Sequence, residues 1–482
     1  MSVHSEANDS TRSSTPDSTS THWYDELSPP HEAYETFQHK VVELTHSICE
    51  AKEVTLQRIR GGCYNRVVVA HVKLTNGGEL SGIYRIPRSR DIPDGVERNS
   101  NEDIETDIID QVAVLQLLGS QAIPAPRLIA YDASGKNAIE SPYVFQHFSE
   151  GTMLENIYGD MAFEEKMQLA VSLADFLARM EAVTFDKSGL VVAAPTGNAA
   201  PATKASSFCA PLGNVAVAVG GFTDPYENVH TSHTATSPRE LIGELLRARL
   251  DGEVALNEPP SEFLAMRLRM VATFEDMCQL GIFDDNNLTG GSILYHWDLQ
   301  PRNILVKTIR TSEHEEQALE LQLERCLSIA APSGRWVIDT VVDWDNVQSV
   351  PPIFTRQPPI WLWDFSGETG GLSLPPGYDS DSDLQPASRY DSSEGKLSSD
   401  AKQIQANFED RLVNKLQQIY PTYNARTYRD EAYGRGRWIR RMARFAIHGV
   451  RSSEDTKRFR GLEKEWITAR SHFANRAANI SG

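Results

Sequence analysis

Cysteine is scarce in this sequence, and its few cysteines follow no recognised pairing pattern. The 482 residues include five cysteines, which are scattered along the chain and form no C-x-x-C motif. An odd, scattered set argues against a disulfide framework and against a zinc site. Such usage is typical of a reducing compartment, so we expect a cytoplasmic protein.

Long apolar runs and an excess of positive charge are also missing. No run of about twenty apolar residues occurs, so we expect no membrane span. The N-terminus has no basic start followed by an apolar segment, so we expect no secretory signal. The formal net charge is −19, which disfavours a nucleic-acid partner because phosphate binding requires a basic surface. No protein partner can be inferred from the sequence.

Composition divides the chain into a polar tail and two further regions. Residues 1–30 are rich in Ser, Thr, Asp and Pro and are expected to form a disordered tail. Strand patterns dominate 31–148, whereas helical periodicity dominates 149–482. The second region carries three expected surface insertions, near 188–235, 309–333 and 372–399. The first of these is expected to form long loops.

Local patterns in the first region predict a small antiparallel sheet. A helix is predicted over Glu32–Glu53, followed by three strands, of which the last two are joined by a hairpin at Thr75–Gly78. A main helix is predicted over Asp103–Gly119. Together with the helical second region, these patterns predict an α+β, two-lobed, protein-kinase-like fold. A small antiparallel β N-lobe would bind nucleotide, and a larger, mostly helical C-lobe would carry the catalytic loop and the substrate site. Nucleotide is expected in the cleft between the lobes.

The most informative segment runs from His296 to Val306 and reads H-W-D-L-Q-P-R-N-I-L-V. An H-x-D triplet, an Asn five positions after the Asp and a closing apolar run match the layout of a kinase catalytic loop. In that layout Asp298 is the base that accepts the proton of the attacking hydroxyl, and Asn303 holds Mg²⁺ on the nucleotide phosphates. His296 completes the predicted catalytic set and is expected to brace the loop.

A second acidic segment lies downstream, at Val341–Asp345. Asp343 ends its strand-like run, where a second magnesium ligand is required, and is the predicted metal ligand beside Asn303. Asp339 is the competing carboxylate, but it lies within the apolar run and is expected to face outward from a strand. Asp345 could hold a substrate, support the metal or lie on the surface.

The nucleotide-binding residues are predicted from the first region. Gly61 and Gly62, between the first two strands, would let the backbone approach phosphates closely, although an ordinary β-turn is equally compatible with them. Arg85 lies in the third strand, where a kinase places its phosphate-pairing Lys. The backbone at Gln146 and Phe148 would bind the adenine edge of ATP.

The sequence does not show which acidic residue would pair with Arg85, the cation of the third strand. Its expected register falls near Asp110 or Gln111, and neither residue is Glu. Glu105 lies one turn earlier on the same predicted helix. A solvated helix face is a fair alternative for each of these residues.

With these motifs in place, the chain resembles the aminoglycoside phosphotransferase and choline-kinase-like superfamily, and especially its fungal phosphotransferase branch. The matching stretches are Tyr84–Arg88, Ile123–Tyr131, Ser141–Tyr143, Gly151–Thr152, Phe185–Gly189, His296–Val306, Val342–Asp345, Pro358–Trp363 and Ala432–Trp438. The resemblance implies an ATP- and Mg²⁺-dependent enzyme that phosphorylates a hydroxyl group of a small molecule. Trp297 and Arg85 depart from the family pattern: a small residue usually follows the motif His, and the strand cation is usually Lys.

Two functions from different classes follow from the sequence. The first is an ATP-dependent small-molecule O-phosphotransferase whose partner is a small-molecule alcohol. The alternative is a catalytically weak or inactive nucleotide-binding pseudokinase or scaffold, which Arg85 and the unresolved Glu favour. The complete set of Asp298, Asn303 and Asp343 favours the enzyme. A protein kinase is disfavoured, because no A-P-E-like segment follows Asp343.

Overall fold

The structure is a computed structural model of the chain. It describes residues 32–59, 65–88, 101–195, 215–224, 229–230, 235, 237–255, 262–284, 291–309, 334–345, 347–364, 397–450 and 452–480. The predicted tail at 1–30 lies outside the described residues, as do nearly all of the insertions at 309–333 and 372–399. The described residues form two compact units. The first comprises the described residues up to Ile108 together with Leu128–Phe148, and the second comprises Ile109–Arg127 and the described residues from Ser149 onward.

The first unit is built on a five-stranded antiparallel sheet. Its helices are α1 (Tyr34–Ile48) and the start of α2 (Asn101–Ser120), and its strands are β1 (Ala51–Ile59), β2 (Asn65–Leu74), β3 (Glu79–Pro87), β4 (Leu128–Asp132) and β5 (Tyr143–His147). The strand order is β1-β2-β3-β5-β4. The predicted Asn-Gly hairpin is confirmed, because β2 and β3 pair across it and Gly77 takes a φ of 85°.

Helix α1 covers one face of this sheet. Phe37, Val41 and Leu44 of α1 pack against Tyr84 and Phe145, whose rings stack with centroids 4.0 Å apart. The helix ends at Ile48, not at Glu53 as predicted, because the backbone from Ala51 onward pairs with β2. The ladder hydrogen bonds of β1 therefore override the helical pattern.

The second unit is larger and mostly helical. Its earlier elements are β6 (Thr152–Met153), α3 (Leu154–Ile157), α4 (Phe163–Glu181), β7 (Thr184–Phe185), β8 (Gly189–Ala193), β9 (Val217–Gly220), β10 (Thr223–Asp224), β11 (Val229–His230), α5 (Pro238–Ala255) and α6 (Glu262–Gln279). Its later elements are β12 (Ser292–Tyr295), β13 (Ile304–Ile309), β14 (Arg335–Val341), β15 (Gln348–Val350), α7 (Ser399–Ile419), α8 (Ala425–Ala432), α9 (Arg435–His448) and α10 (Ser453–Ile480). Short 3-10 turns span Tyr158–Asp160, Pro301–Asn303, Pro352–Arg356 and Ile360–Leu362.

Two small sheets of this unit flank the segments that carry the predicted site residues. Strands β14-β13-β6 form one, and β7-β12-β15-β8-β9 form the other. The expectation of long loops over 188–235 was therefore wrong for the described part of that range, because β8 and β9 extend the second sheet. The main hydrophobic core of the unit lies among α5, α6, α9 and α10.

The predicted fold class is confirmed. The chain has an α+β, kinase-like fold: the first unit holds the small antiparallel sheet, α1 and the start of α2, and the second unit, which holds the rest of α2, is larger and mostly helical. Among the helices in the described ranges, none is both long and apolar enough to cross a membrane.

Candidate active site

The pairing of β13 with β14 brings the two acidic segments together. Ile304, the first residue of β13, lies opposite Val341, the last residue of β14. In an antiparallel pair the segment before one strand and the segment after its partner leave the sheet at the same end. The backbone N–H of Val342 donates to the carbonyl oxygen of Asn303 at 2.9 Å, so Asn303 lies beside the residue that precedes Asp343.

Asn303 directs its amide nitrogen to Asp298. The side-chain Nδ2 donates to the backbone carbonyl of Asp298 at 2.8 Å and to the carboxylate Oδ2 at 2.9 Å. Asn303 is 8% exposed, so its position is fixed by packing as well as by these bonds. Because the nitrogen is engaged, the amide oxygen is the atom that could accept a metal ion.

Arg302 also binds the carboxylate of Asp298. Its guanidinium Nη2 lies 2.7 Å from each carboxylate oxygen of Asp298. About half of the Arg302 side chain and a third of the Asp298 side chain are exposed. Asp298 is therefore oriented by two neighbours within its own loop and remains open to solvent.

His296 ties the catalytic loop to the strand that precedes Asp343. Its Nε2 donates to the carbonyl oxygen of Val342 at 3.0 Å, and its ring packs edge-on against Trp344 with centroids 4.7 Å apart. Burial lowers the pKa of His296 below its ordinary value, although the Val342 carbonyl and the carboxylates of Asp298 and Asp343 act in the opposite direction. A neutral ring that donates from Nε2 suits the bracing role predicted for it.

Asp343 is exposed and has an unusual backbone conformation. Its φ is 65°, in the left-handed region that costs most residues about 1–3 kcal/mol and that Asp tolerates better than most. The conformation follows directly after Val342, whose N–H is bound by Asn303 and whose carbonyl is bound by His296. Strain of this kind is held only where the surroundings over-determine it, and it is frequent at functional sites.

Asp339, the competing carboxylate, was expected to face outward from its strand, but its side chain is only 15% exposed. Leu305 pairs with Thr340 and Val306 with Ile338, so Asp339 is the extra residue of a β-bulge. Its carboxylate lies 2.6 Å from Lys307 Nζ and 2.6 Å from Ser149 Oγ. Burial raises its pKa, but the bonds from Lys307 and Ser149 outweigh that effect and lower it. Asp339 is thus committed to a structural ion pair.

The donor set of Asn303 and Asp343 fits magnesium. An amide oxygen and a carboxylate are hard oxygen ligands, and Mg²⁺ commonly takes one or two protein ligands together with phosphate oxygens and waters. Clusters of three or more His, Cys, Asp or Glu side chains suited to a metal ion are absent from the described residues. A site with few protein ligands, completed by a nucleotide, agrees with both observations.

A contact that the sequence did not reveal joins α2 to the same loop. Gln111 Nε2 donates to Oδ1 of Asp345. Asp110, the other candidate on this helix, accepts a hydrogen bond from the backbone N–H of Ala193 at 2.8 Å. Two of the helix positions considered as partners of Arg85 therefore make contacts within the second unit.

Trp297 occupies the position between His296 and Asp298. It is 37% exposed, and its ring lies edge-on to His448, with centroids 4.8 Å apart, and to Tyr295, at 5.6 Å. The bulky side chain is thus supported by aromatic neighbours within its own unit.

The predicted nucleotide-binding residues of the first unit are only partly described. Gly61 and Gly62 lie outside the described residues. Arg85 lies on the face of β3 opposite Tyr84 and the α1 core, where it is half-buried. Gln146 of β5 is 3% exposed, and its Nε2 has no hydrogen-bond partner among the residues that the structure describes. Phe148, after β5, is 36% exposed. Their roles in nucleotide binding stay predictions.

No protein-family model matches the chain, and no curated protein matches it. Several solved structures match the chain. A Ralstonia eutropha protein described as a candidate aminoglycoside phosphotransferase matches with a TM-score of 0.42 and 11% identity, over 91% of this chain and 98% of that one. The ADP-bound aminoglycoside phosphotransferase APH(2'')-Ib matches with a TM-score of 0.40 and 10% identity, over 88% of this chain and 96% of that one. A glucosamine kinase in complex with glucosamine, ADP and inorganic phosphate matches with a TM-score of 0.31 and 12% identity, over 93% of this chain and 87% of that one. At such scores and identities, these similarities assign no residue and no substrate to this chain.

Proposed function

We propose that this chain is an ATP-dependent O-phosphotransferase that phosphorylates a hydroxyl group of a small molecule. The observation that carries the proposal is the convergence on Val342, whose backbone binds both Asn303 and His296 and so places Asp343 beside the loop of Asp298. We propose further that the chain belongs to the fungal branch of the aminoglycoside phosphotransferase-like superfamily and that it acts in the cytoplasm.

Asp298 is the general base in this proposal. Its carboxylate accepts the proton of the acceptor hydroxyl while the hydroxyl oxygen bonds to the γ-phosphorus of ATP. The bond from that phosphorus to the bridging oxygen breaks, and the products are ADP and a phosphate monoester. The hydrogen bonds from Arg302 and Asn303 support this role because they hold the carboxylate in one orientation before the substrate arrives.

Asn303 and Asp343 would hold magnesium. When bound, the ion would neutralise charge on the nucleotide phosphates. Within the chain, Asn303 contributes an amide oxygen whose companion nitrogen is anchored on Asp298. Asp343 contributes an exposed carboxylate on a backbone held in the left-handed conformation. For the nucleotide we propose Gly61, Gly62, Arg85, Gln146 and Phe148 as binding residues.

The proposal is tested by incubating the purified chain with Mg²⁺ and ATP and a panel of hydroxylated amines, sugars and aminoglycosides. Formation of a phosphate monoester, detected by mass spectrometry together with stoichiometric ADP, supports it. Tight ATP binding without turnover on any acceptor would favour the nucleotide-binding scaffold instead. Arg85→Lys separates the two further, because an enzyme limited by its strand cation should gain rate whereas a scaffold should not.

A further inference from the structure

Helix α4 and strand β14 enclose a cavity of about 190 Å³ within the second unit. Its walls include Pro124, Ser172, Asp175, Phe176, Arg179 and Arg335, and we call it the α4–β14 pocket. Neither Asp298, Asn303 nor Asp343 lines it. It is therefore separate from the candidate active site.

Two arginines give this pocket its chemical character. Within the described part of the chain, the guanidinium groups of Arg179 and Arg335 make neither a hydrogen bond nor an ion pair. Asp175 is the carboxylate in the wall, and it would repel an anion if it were free. Its two oxygens instead accept hydrogen bonds of 2.8 Å from Arg411, and Lys415 lies 3.8 Å away. Among the described residues, the pocket thus presents two cations without a partner and one neutralised anion.

We propose that the α4–β14 pocket binds a small oxyanion, a molecule that carries a phosphate or carboxylate group. The planar guanidinium fork matches such groups with paired hydrogen bonds, and an uncommitted pair of forks in one concave wall is the arrangement that recognises them. The volume also limits the ligand, because pockets for drug-sized molecules begin at about 300 Å³. A phosphate group with a short carbon skeleton is the size that fits.

The wall of the pocket is joined to the strand that leads to Asp343. Pro124 accepts a hydrogen bond of 2.8 Å from the N–H of Val341, and Ser172 Oγ accepts one of 3.0 Å from Ile338. Phe176 lies against Trp344, with ring centroids 6.4 Å apart. An occupant that binds only the folded chain would therefore stabilise these contacts and raise the melting temperature by mass action.

Isothermal titration calorimetry of the full chain with inorganic phosphate tests the inference, at constant ionic strength and with chloride as the reference salt. One saturable site is expected. Arg179→Gln and Arg335→Gln should each weaken binding about tenfold or more, and the double variant should abolish it. Arg426→Gln is the matched control, because it removes one exposed arginine from α8 and should leave the affinity unchanged. Citrate in a parallel titration distinguishes a carboxylate ligand from a phosphate ligand.

Asn303→Ala distinguishes this pocket from phosphate binding at the candidate active site. Phosphate affinity that survives Asn303→Ala and is lost in the arginine double variant supports the α4–β14 pocket. The inference is overturned if neither anion gives saturable binding to the unaltered chain. It is equally overturned if binding survives the double variant or is lost in Asn303→Ala. If a Gln variant fails to fold, Arg179→Lys and Arg335→Lys keep the charge without the fork and should show weakened but measurable binding.

Discussion

His296 and Val342 are joined by a hydrogen bond of 3.0 Å from the imidazole Nε2 to the backbone carbonyl oxygen. The bond links the residue two positions before Asp298 to the residue immediately before Asp343. Because the N–H of Val342 donates to Asn303 at the same time, one peptide segment fixes the spacing of both acidic groups. The candidate base and the candidate metal ligands are thus positioned by a single shared backbone.

His296 should make the stability of the chain sensitive to mild acid. Its pKa is lowered in the folded state by burial, whereas in the unfolded chain it titrates at about 6.5. As the pH falls below that value, the unfolded chain takes up a proton that the folded chain resists, so folding stability is lost. Between about pH 7.5 and pH 5.5, the original chain should therefore lose more stability than His296→Gln, which keeps a donor for Val342. Urea unfolding at each pH measures the free energy of unfolding of both chains. Equal losses of stability in the original chain and in His296→Gln would contradict a buried, neutral His296.

Arg302 should act on turnover more than on nucleotide binding. Its guanidinium contacts both oxygens of Asp298 at 2.7 Å, but the pair is half-exposed, so its contribution is about 1 kcal/mol or less. Arg302→Gln should lower kcat up to about fivefold and leave ATP affinity unchanged. Arg302→Lys should restore part of the rate. Steady-state kinetics with titration of ATP binding would contradict this role if KM for ATP rose while kcat did not fall.

Gly436 should tolerate no side chain. A Cβ at this position would lie 1.8 Å from the backbone carbonyl oxygen of Glu431, which α8 holds in place. Gly436→Ala should therefore destabilise the chain by about 1–3 kcal/mol or more. Gly119→Ala is the control, because a Cβ there meets no atom within 4 Å and alanine favours the helix. Thermal unfolding that ranks the two variants equally would contradict the packing described for α8 and α9.

Arg356 should be indispensable to folding. It is 2% exposed and donates to both oxygens of Glu181 at 2.8 Å and to Glu431 at 3.2 Å. Arg356→Met would leave two buried carboxylates without their cation, which should cost about 3–5 kcal/mol. Arg269→Met removes an arginine that pairs with Glu463 at the surface and should have a much smaller effect. The urea midpoints of unfolding of the two variants measure this difference. Similar midpoints would contradict the buried network of Arg356 with Glu181 and Glu431.

Both the fold class, which is confirmed, and the catalytic loop, which stays a prediction, were predicted from local signals in the sequence. The Asn-Gly turn of the β2–β3 hairpin and the spacing of His296, Asp298 and Asn303 are readable over a few residues. Where a long-range contact decides the outcome, local signals fail. The helix predicted over Glu32–Glu53 instead ends at Ile48, because the backbone from Ala51 onward pairs with β2.

The remaining features of the site depend on partners far away in sequence. Gln111 meets Asp345 across 234 positions, and Ser149 meets Asp339 across 190. The β-bulge at Asp339 follows from the register of β14 on β13, which a single sequence does not specify. A Gln on a helix face and an Asp in an apolar run carry no local signal of such contacts.

The most direct test of the proposed function compares turnover with nucleotide binding in Asp298→Asn. Asparagine keeps the shape of the side chain but accepts no proton, so general-base catalysis is lost while Asn303 and Asp343 are unchanged. With an acceptor found in the panel, kcat should fall by about 10²-fold or more, and the Kd for Mg²⁺ and ATP should change little. Undiminished turnover in Asp298→Asn would contradict the assignment of Asp298 as the base.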